Sequence, residues 1–155
     1  MELADLDAFA AIYADPEVVR FIGDGTTATR EETAEWLDRT IDRNEQGGWD
    51  MRSVLLAEGG ELLGRCGIAV REIDGRTERE LGYLLGRAYQ GRGYATEAAT
   101  AMRDHALGML GLGRLIALIQ NENEASERVA RKLGMAYERA VEFNGRLVDL
   151  FALGA

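Results

Sequence analysis

Cysteine is almost missing from this chain of 155 residues. The single Cys66 cannot close an internal disulfide, which fits a reducing compartment. Long apolar runs are missing as well. No stretch approaches the roughly 20 residues that a membrane span needs, and no signal-peptide pattern opens the chain. The expected location is therefore cytoplasmic, with no membrane partner. Basic blocks are absent, and the formal net charge of −9 argues against nucleic acid as a partner. That charge leaves room for a cationic one. Histidine occurs once, at His105, and no His/Cys cluster has metal-ligand spacing, so no metal is expected. There is no internal repeat, low-complexity tract or linker-like segment.

What is present suits one soluble domain covering residues 1–155. Its 46% hydrophobic composition can fill a core without disulfides or metal. Leu6, Phe9, Ala10 and Tyr13 recur at helical spacing, and "ADPE" around Pro16 should break that helix. "TREE" places Glu32 three residues after Thr29 as a capping box for a second helix, expected to stop near Gly47 and Gly48. "RSVLLAEGGELLGRCGIAV" reads as two strands turning at Gly59-Gly60. "REIDGRTE" reads as a polar loop before a third strand, "RELGYLLG". A helix from about Tyr94 to Leu107, a buried strand "GRLIALIQ" and a helix stopped by Gly134 follow. Asn144-Gly145 between two alternating strands signals a final hairpin. This order implies an α+β (mixed α/β) fold with a largely antiparallel sheet rather than repeated βαβ units.

The stretch "YQGRGYATEA" carries the functional signal. Glycine lets backbone N–H groups approach a ligand closely, and the helix that follows offers unpaired N–H groups with partial positive charge. Together they form an anion seat suited to phosphate. A Walker loop would end in Gly-Lys-Ser/Thr, and there is no lysine here. A dinucleotide fingerprint would need a further Gly or Ala after "GRGYA", where Thr96 stands, and an acid where "LIALIQ" ends in Gln120.

The remaining reading is Q/R-x-x-G-x-G/A, met as Gln90-Gly91-Arg92-Gly93-Tyr94-Ala95. It resembles the acetyl-CoA loop of the GNAT N-acetyltransferases. "ELGYLL" before the loop is similar to the family's fourth strand, and "QNENEASERVARKLGM" to its N-x-x-S/A helix, with Met135 in an aromatic's place. "DPEVVRFIG" and "NG…VDLFAL" resemble the RimJ/RimL-type branch. Family members usually begin with one more strand, which looks absent here. The expectation is an exposed sheet edge, through which, or through the final strands, two chains could pair as a homodimer.

The resemblance implies acetyl-CoA as cosubstrate and an amine as acceptor, with acetyl transfer by direct attack. Backbone N–H groups from Gly91 to Thr96 would hold the pyrophosphate, with Arg92 adding charge. Tyr83, Leu84 and Leu85 would pair with the pantetheine arm and steady the thioester oxygen, and Asn123 would bond the same arm. Glu142, with Glu80 second, would act as general base. Ser126 would serve the departing sulfur, because Ala130 stands where many relatives have a tyrosine acid.

Plainer readings stand beside these. Arg92 could be a solvated arginine, Asn123 and Ser126 an ordinary helix cap, and both glutamates water-facing strand residues. Cys66 and His105 read as packing residues. Trp36, Trp49 and Tyr13 could line an acceptor pocket but are more simply core. Two rivals remain: a non-catalytic acyl-CoA-binding domain, and a nucleotide-binding regulator using the same loop.

Overall fold

The computed structural model describes residues 1–46 and 50–154. Six strands form one sheet: β1 (Met51–Leu55), β2 (Leu62–Ile73), β3 (Arg76–Leu85), β4 (Arg114–Gln120), β5 (Ala136–Phe143) and β6 (Arg146–Gly154). Their spatial order is β1-β2-β3-β4-β6-β5. β3 and β4 are parallel, with Glu80 opposite Ile116. The pairs β1/β2, β4/β6 and β5/β6 are antiparallel. The helices are α1 (Leu6–Tyr13), α2 (Pro16–Val19), α3 (Arg30–Glu45), α4 (Tyr94–Gly108) and α5 (Glu124–Lys132), with 3₁₀ turns at Leu3–Asp5 and Arg87–Tyr89. This is the mixed α+β, largely antiparallel architecture that the element order implies.

Local chemistry explains most boundaries. Thr29 and Glu32 form the reciprocal capping box that starts α3, satisfying two orphan donors. The proposed stop at Gly47 and Gly48, and Trp49, lie outside the described residues. Pro16 does more than end a helix: α1 stops at Tyr13, and Pro16 opens the one-turn α2 under an Asp15 cap, where its missing N–H costs nothing. α5 ends in a Schellman pair, with Gly134 N–H donating to Arg131 and Met135 N–H to Ala130.

The polar stretch "REIDGRTE" is not a loop. β2 continues to Ile73 and β3 starts at Arg76, leaving a two-residue turn with Asp74 at φ +50° and Gly75 at φ +74°. Both central residues are left-handed, which matches the twist of the flanking strands. The polar side chains are taken up across the hairpin, as Thr77 Oγ1 donates to Glu72 at 2.6 Å.

The described residues group into two compact units. In the unit built from Met1–Gly67 and Tyr83–Ala95, Phe9, Ile12, Tyr13, Val18, Val19, Leu37 and Leu84 make the core. The unit built from Ile68–Gly82 and Thr96–Ala155 has its own cluster of Ile73, Ile116, Val141, Val148 and Leu150. That cluster occupies one sheet face. The next residue along β6, Phe151, points to the opposite face, where the Arg131 guanidinium of α5 lies 5.3 Å from its ring centroid.

Candidate functional site

In the first unit the glycine loop is an exposed turn set directly before the 15-residue α4. Gly91 and Gly93 have φ of +71° and +90°, a conformation that costs a side-chain-bearing residue roughly 1–2 kcal/mol. A Cβ at either would meet nothing within 4 Å. Conformation, not crowding, therefore selects glycine, and the space above the loop is open. No backbone carbonyl among the described residues accepts from the N–H of Gly91, Arg92 or Gly93. The first-turn N–H groups of Tyr94, Ala95 and Thr96 have no intrahelical acceptor either.

The loop is tied back to β3. Gln90 Nε2 donates to the Leu85 carbonyl at 2.9 Å, and Gly86 N–H donates to Leu63 at 2.9 Å. The side chains of Leu84 and Leu85 are buried, so their burial fixes the strand end that leads into the loop. Gly64 on β2 lies under this end: a Cβ there would sit 2.0 Å from the Leu84 carbonyl. Tyr83, Leu84, Leu85 and residues 90–95 are thus brought together in one unit.

Asn123, Ser126, Glu80 and Glu142 lie in the other unit. Asn123 caps α5, its Oδ1 accepting from Ser126 N–H at 3.2 Å. This is the plain capping role, and it directs the carboxamide oxygen inward while the amide nitrogen keeps its two donors. Glu142 is exposed on β5 opposite Leu147. Strand alternation sets Glu142 on the face of Phe151 and α5, away from Val141 and Phe143. Its row follows that of Gln120, Val148 and Val141, at the end of β4 from which the chain leaves for α5. Arg146 Nη1 donates to Gln120 Oε1 at 3.3 Å, joining the hairpin to that strand end.

Glu80 is placed differently. Its carboxylate accepts from Arg71 Nε at 2.5 Å, and Arg71 lies 5.5 Å from the Phe143 ring centroid. Phe143 packs on the Ile116–Leu150 cluster, so Glu80 and Glu142 occupy opposite sheet faces. The sequence offers both as bases; the fold separates them.

Other residues take the plainer role. Cys66 is buried, and burial pushes its thiol up to about 12. Trp36 stacks edge-on against Phe9 and Tyr13, at 5.3 and 5.1 Å between centroids. Ala130 is fully buried. His105 is half-buried in α4. Among the described residues no group of three His, Cys, Asp or Glu could hold a metal ion, and no helix is long and apolar enough to cross a membrane. Arg65, which sequence reading passes over, meets Tyr13 through a contact 52 positions apart; no local pattern announces it.

Comparison with known proteins agrees with this fold. Residues 1–136 match the family profile described as an acetyltransferase (GNAT) domain. An uncharacterized protein of Bacillus subtilis, YkkB, is 37% identical over 136 residues, covering 86% of this chain and 76% of that protein. An uncharacterized N-acetyltransferase of Bacillus licheniformis, p20, is 29% identical over 97% of this chain and 86% of its own. Among solved structures, RimL, a ribosomal L7/L12 α-N-protein acetyltransferase in complex with coenzyme A, superposes with a TM-score of 0.82 over 99% of this chain and 90% of its own. At 20% identity that likeness speaks for the fold.

Proposed function

Because the chain belongs to the GNAT family of N-acetyltransferases, we propose that it moves the acetyl group of acetyl-CoA to a primary amine by direct attack in a ternary complex, on the RimJ/RimL pattern. The observation that carries the proposal is the loop: two left-handed glycines, Gly91 and Gly93, open space above them, and the start of α4 immediately after. We take residues 1–155 as one catalytic domain.

The residues divide the work as follows. N–H groups from Gly91 to Thr96 receive the pyrophosphate, where the helix start favours negative charge, and exposed Arg92 adds to that field. The Tyr83–Leu85 backbone, anchored by buried leucines, pairs with the pantetheine arm and donates to the thioester oxygen as charge grows on it. The Asn123 amide nitrogen serves the same arm while its oxygen caps α5. Acetyl-CoA supplies the activated acyl group, and no protein nucleophile is needed.

The attacking amine must be neutral, so a carboxylate takes its proton directly or through water. Glu142 fits this role better than Glu80, whose carboxylate is engaged by Arg71. Glu142 is exposed and shares its sheet face with α5, whose first turn carries Ser126. Ser126 bonds the departing sulfur; a thiolate leaves readily, so the buried Ala130 in place of a tyrosine is tolerable.

Isothermal titration with acetyl-CoA, with ATP and NAD as controls, tests the cofactor reading. Selective binding near micromolar, about −8 kcal/mol, is expected. Acetylation of a panel of amines then tests catalysis. Binding without turnover on any amine would favour a non-catalytic acyl-CoA-binding domain, and binding of ATP or NAD in preference would overturn the loop assignment.

A further inference from the structure

The first unit holds a cation, Arg65, for which no carboxylate partner is found among the described residues. Arg65, on β2, is half-buried. Its guanidinium carbon lies 5.9 Å from the Tyr13 ring centroid and 5.6 Å from that of Trp36, within cation–π range. Nε donates to the Tyr13 hydroxyl at 2.6 Å. That hydroxyl is the only hydrogen-bond acceptor the guanidinium meets among the described residues. Several other arginines pair with acids: Arg71, Arg87, Arg114 and Arg139 each meet a carboxylate. Arg65 does not. Ser53, opposite Arg65 in the strand register, leads to Asp5. Asp5 Oδ2 already accepts from Ser53 Oγ at 2.7 Å and Glu2 N–H at 2.9 Å.

Two aromatic rings and one hydrogen bond thus fix the guanidinium while its terminal nitrogens keep their donors. A planar fork held in this way suits bidentate binding of a carboxylate. A half-buried guanidinium with no carboxylate partner among the described residues favours an incoming anion, since an uncompensated charge out of water is costly.

Position decides whose anion it is. Arg65 follows Gly64, which underlies the Leu84 carbonyl, and Leu63, which accepts from Gly86 N–H. It therefore borders the Tyr83–Leu85 stretch, the thioester end of the proposed cofactor track, rather than the Gly91–Gly93 phosphate end. We infer that Arg65, held by Tyr13 and Trp36, binds a carboxylate of the acceptor, so that the substrate is an amine bearing a nearby carboxylate: an amino acid or an acidic peptide N-terminus. The inference rests on the acetyltransferase reading for the word acceptor. It also refines the expectation from net charge: beyond about 8 Å surface charge is screened at physiological salt, and the local cation governs.

The test uses acceptor pairs differing in one carboxylate: γ-aminobutyrate against γ-aminobutyramide, and a Ser-Asp-Ala peptide amide against Ser-Asn-Ala. The acidic member should be preferred at least tenfold in kcat/KM. Arg65→Gln, Arg65→Lys and Tyr13→Phe should shrink that ratio to below threefold, mainly through KM, while acetyl-CoA Kd stays within twofold. If Arg65→Gln does not fold, the lysine and phenylalanine variants decide. Titration of the wild-type protein with succinate, read by tryptophan fluorescence, should saturate, and Arg65→Lys should weaken it at least fivefold. Equal use of both members of each pair by an active enzyme overturns the inference and leaves the proposed function standing. So does a loss of acetyl-CoA affinity in the Arg65 variants that is absent with dephospho-CoA, because the anion would then be the cofactor's phosphate. If no acetyl-CoA binds at all, the proposed function falls, and succinate binding alone decides whether Arg65 is a carboxylate site.

Discussion

The side-chain amide of Gln90 donates to the main-chain carbonyl of Leu85 at 2.9 Å, binding the entrance of the glycine loop to the end of β3. This bond spaces the N–H groups proposed to seat phosphate from the strand end proposed to carry the pantetheine arm. Gln90→Ala should leave the fold intact and loosen that spacing. A lost hydrogen bond of about 0.5–1.5 kcal/mol predicts a roughly twofold to tenfold rise in acetyl-CoA Kd by titration. An unchanged Kd would mean that the bond does not position the loop.

Gly91 and Gly93 should respond to substitution through conformation alone. With no atom near a Cβ at either, Gly91→Ala meets only the left-handed backbone penalty of ~1–2 kcal/mol. Gly91→Asn should cost less, because asparagine tolerates that region. Thermal melts should rank wild type, then asparagine, then alanine. Equal melting of the two variants would remove the conformational account.

Opposite faces give Glu142 and Glu80 separate phenotypes. Glu142→Gln should lower kcat on a working amine by about a hundredfold with acetyl-CoA affinity and stability retained. Glu80→Gln should cost about 1–2 kcal/mol in denaturant unfolding, because Arg71 loses its charged partner, with the smaller effect on kcat. The reverse pattern would move the base to the other face.

Alkaline stability should report two buried groups. Burial raises Cys66 to about 12 and raises the Tyr13 phenol, the latter partly offset by Arg65. Above their ordinary values the unfolded chain releases protons that the native chain keeps, so stability falls as pH rises from about 9 toward 12. Cys66→Val and Tyr13→Phe should each flatten the decline in unfolding free energy measured across that window. The same burial predicts that Cys66 resists alkylation at pH 8 until denaturant is added.

Legibility followed the range of the interactions. The Thr29–Glu32 box, the Asn144-Gly145 turn and the Gly134 stop are local, and the sequence shows them directly. Asp74-Gly75 carries the same kind of turn signal, but its flanks are polar, so the alternation that would mark strands is missing. Those flanks are strand because Thr77 meets Glu72 across the hairpin, a fact of pairing rather than of composition. The loop's residues were readable for the same local reason. The sheet faces of Glu80 and Glu142 were not, since they depend on register among strands distant in sequence. Nor was Arg65, whose surroundings come from α1 and α3.

Both units draw on the β2–β3 hairpin: one takes its ends up to Gly67 and from Tyr83, the other its middle, Ile68–Gly82. No single cut of the chain yields a fragment that contains one unit complete and nothing of the other. A nick at the exposed Asp74-Gly75 turn parts both units: it separates Met1–Gly67 from Tyr83–Ala95 in the first and cuts within Ile68–Gly82 of the second. Split-protein complementation at that turn would therefore require both halves before either core closes, since Leu84 completes the first core from one side and Ile73 the second from the other.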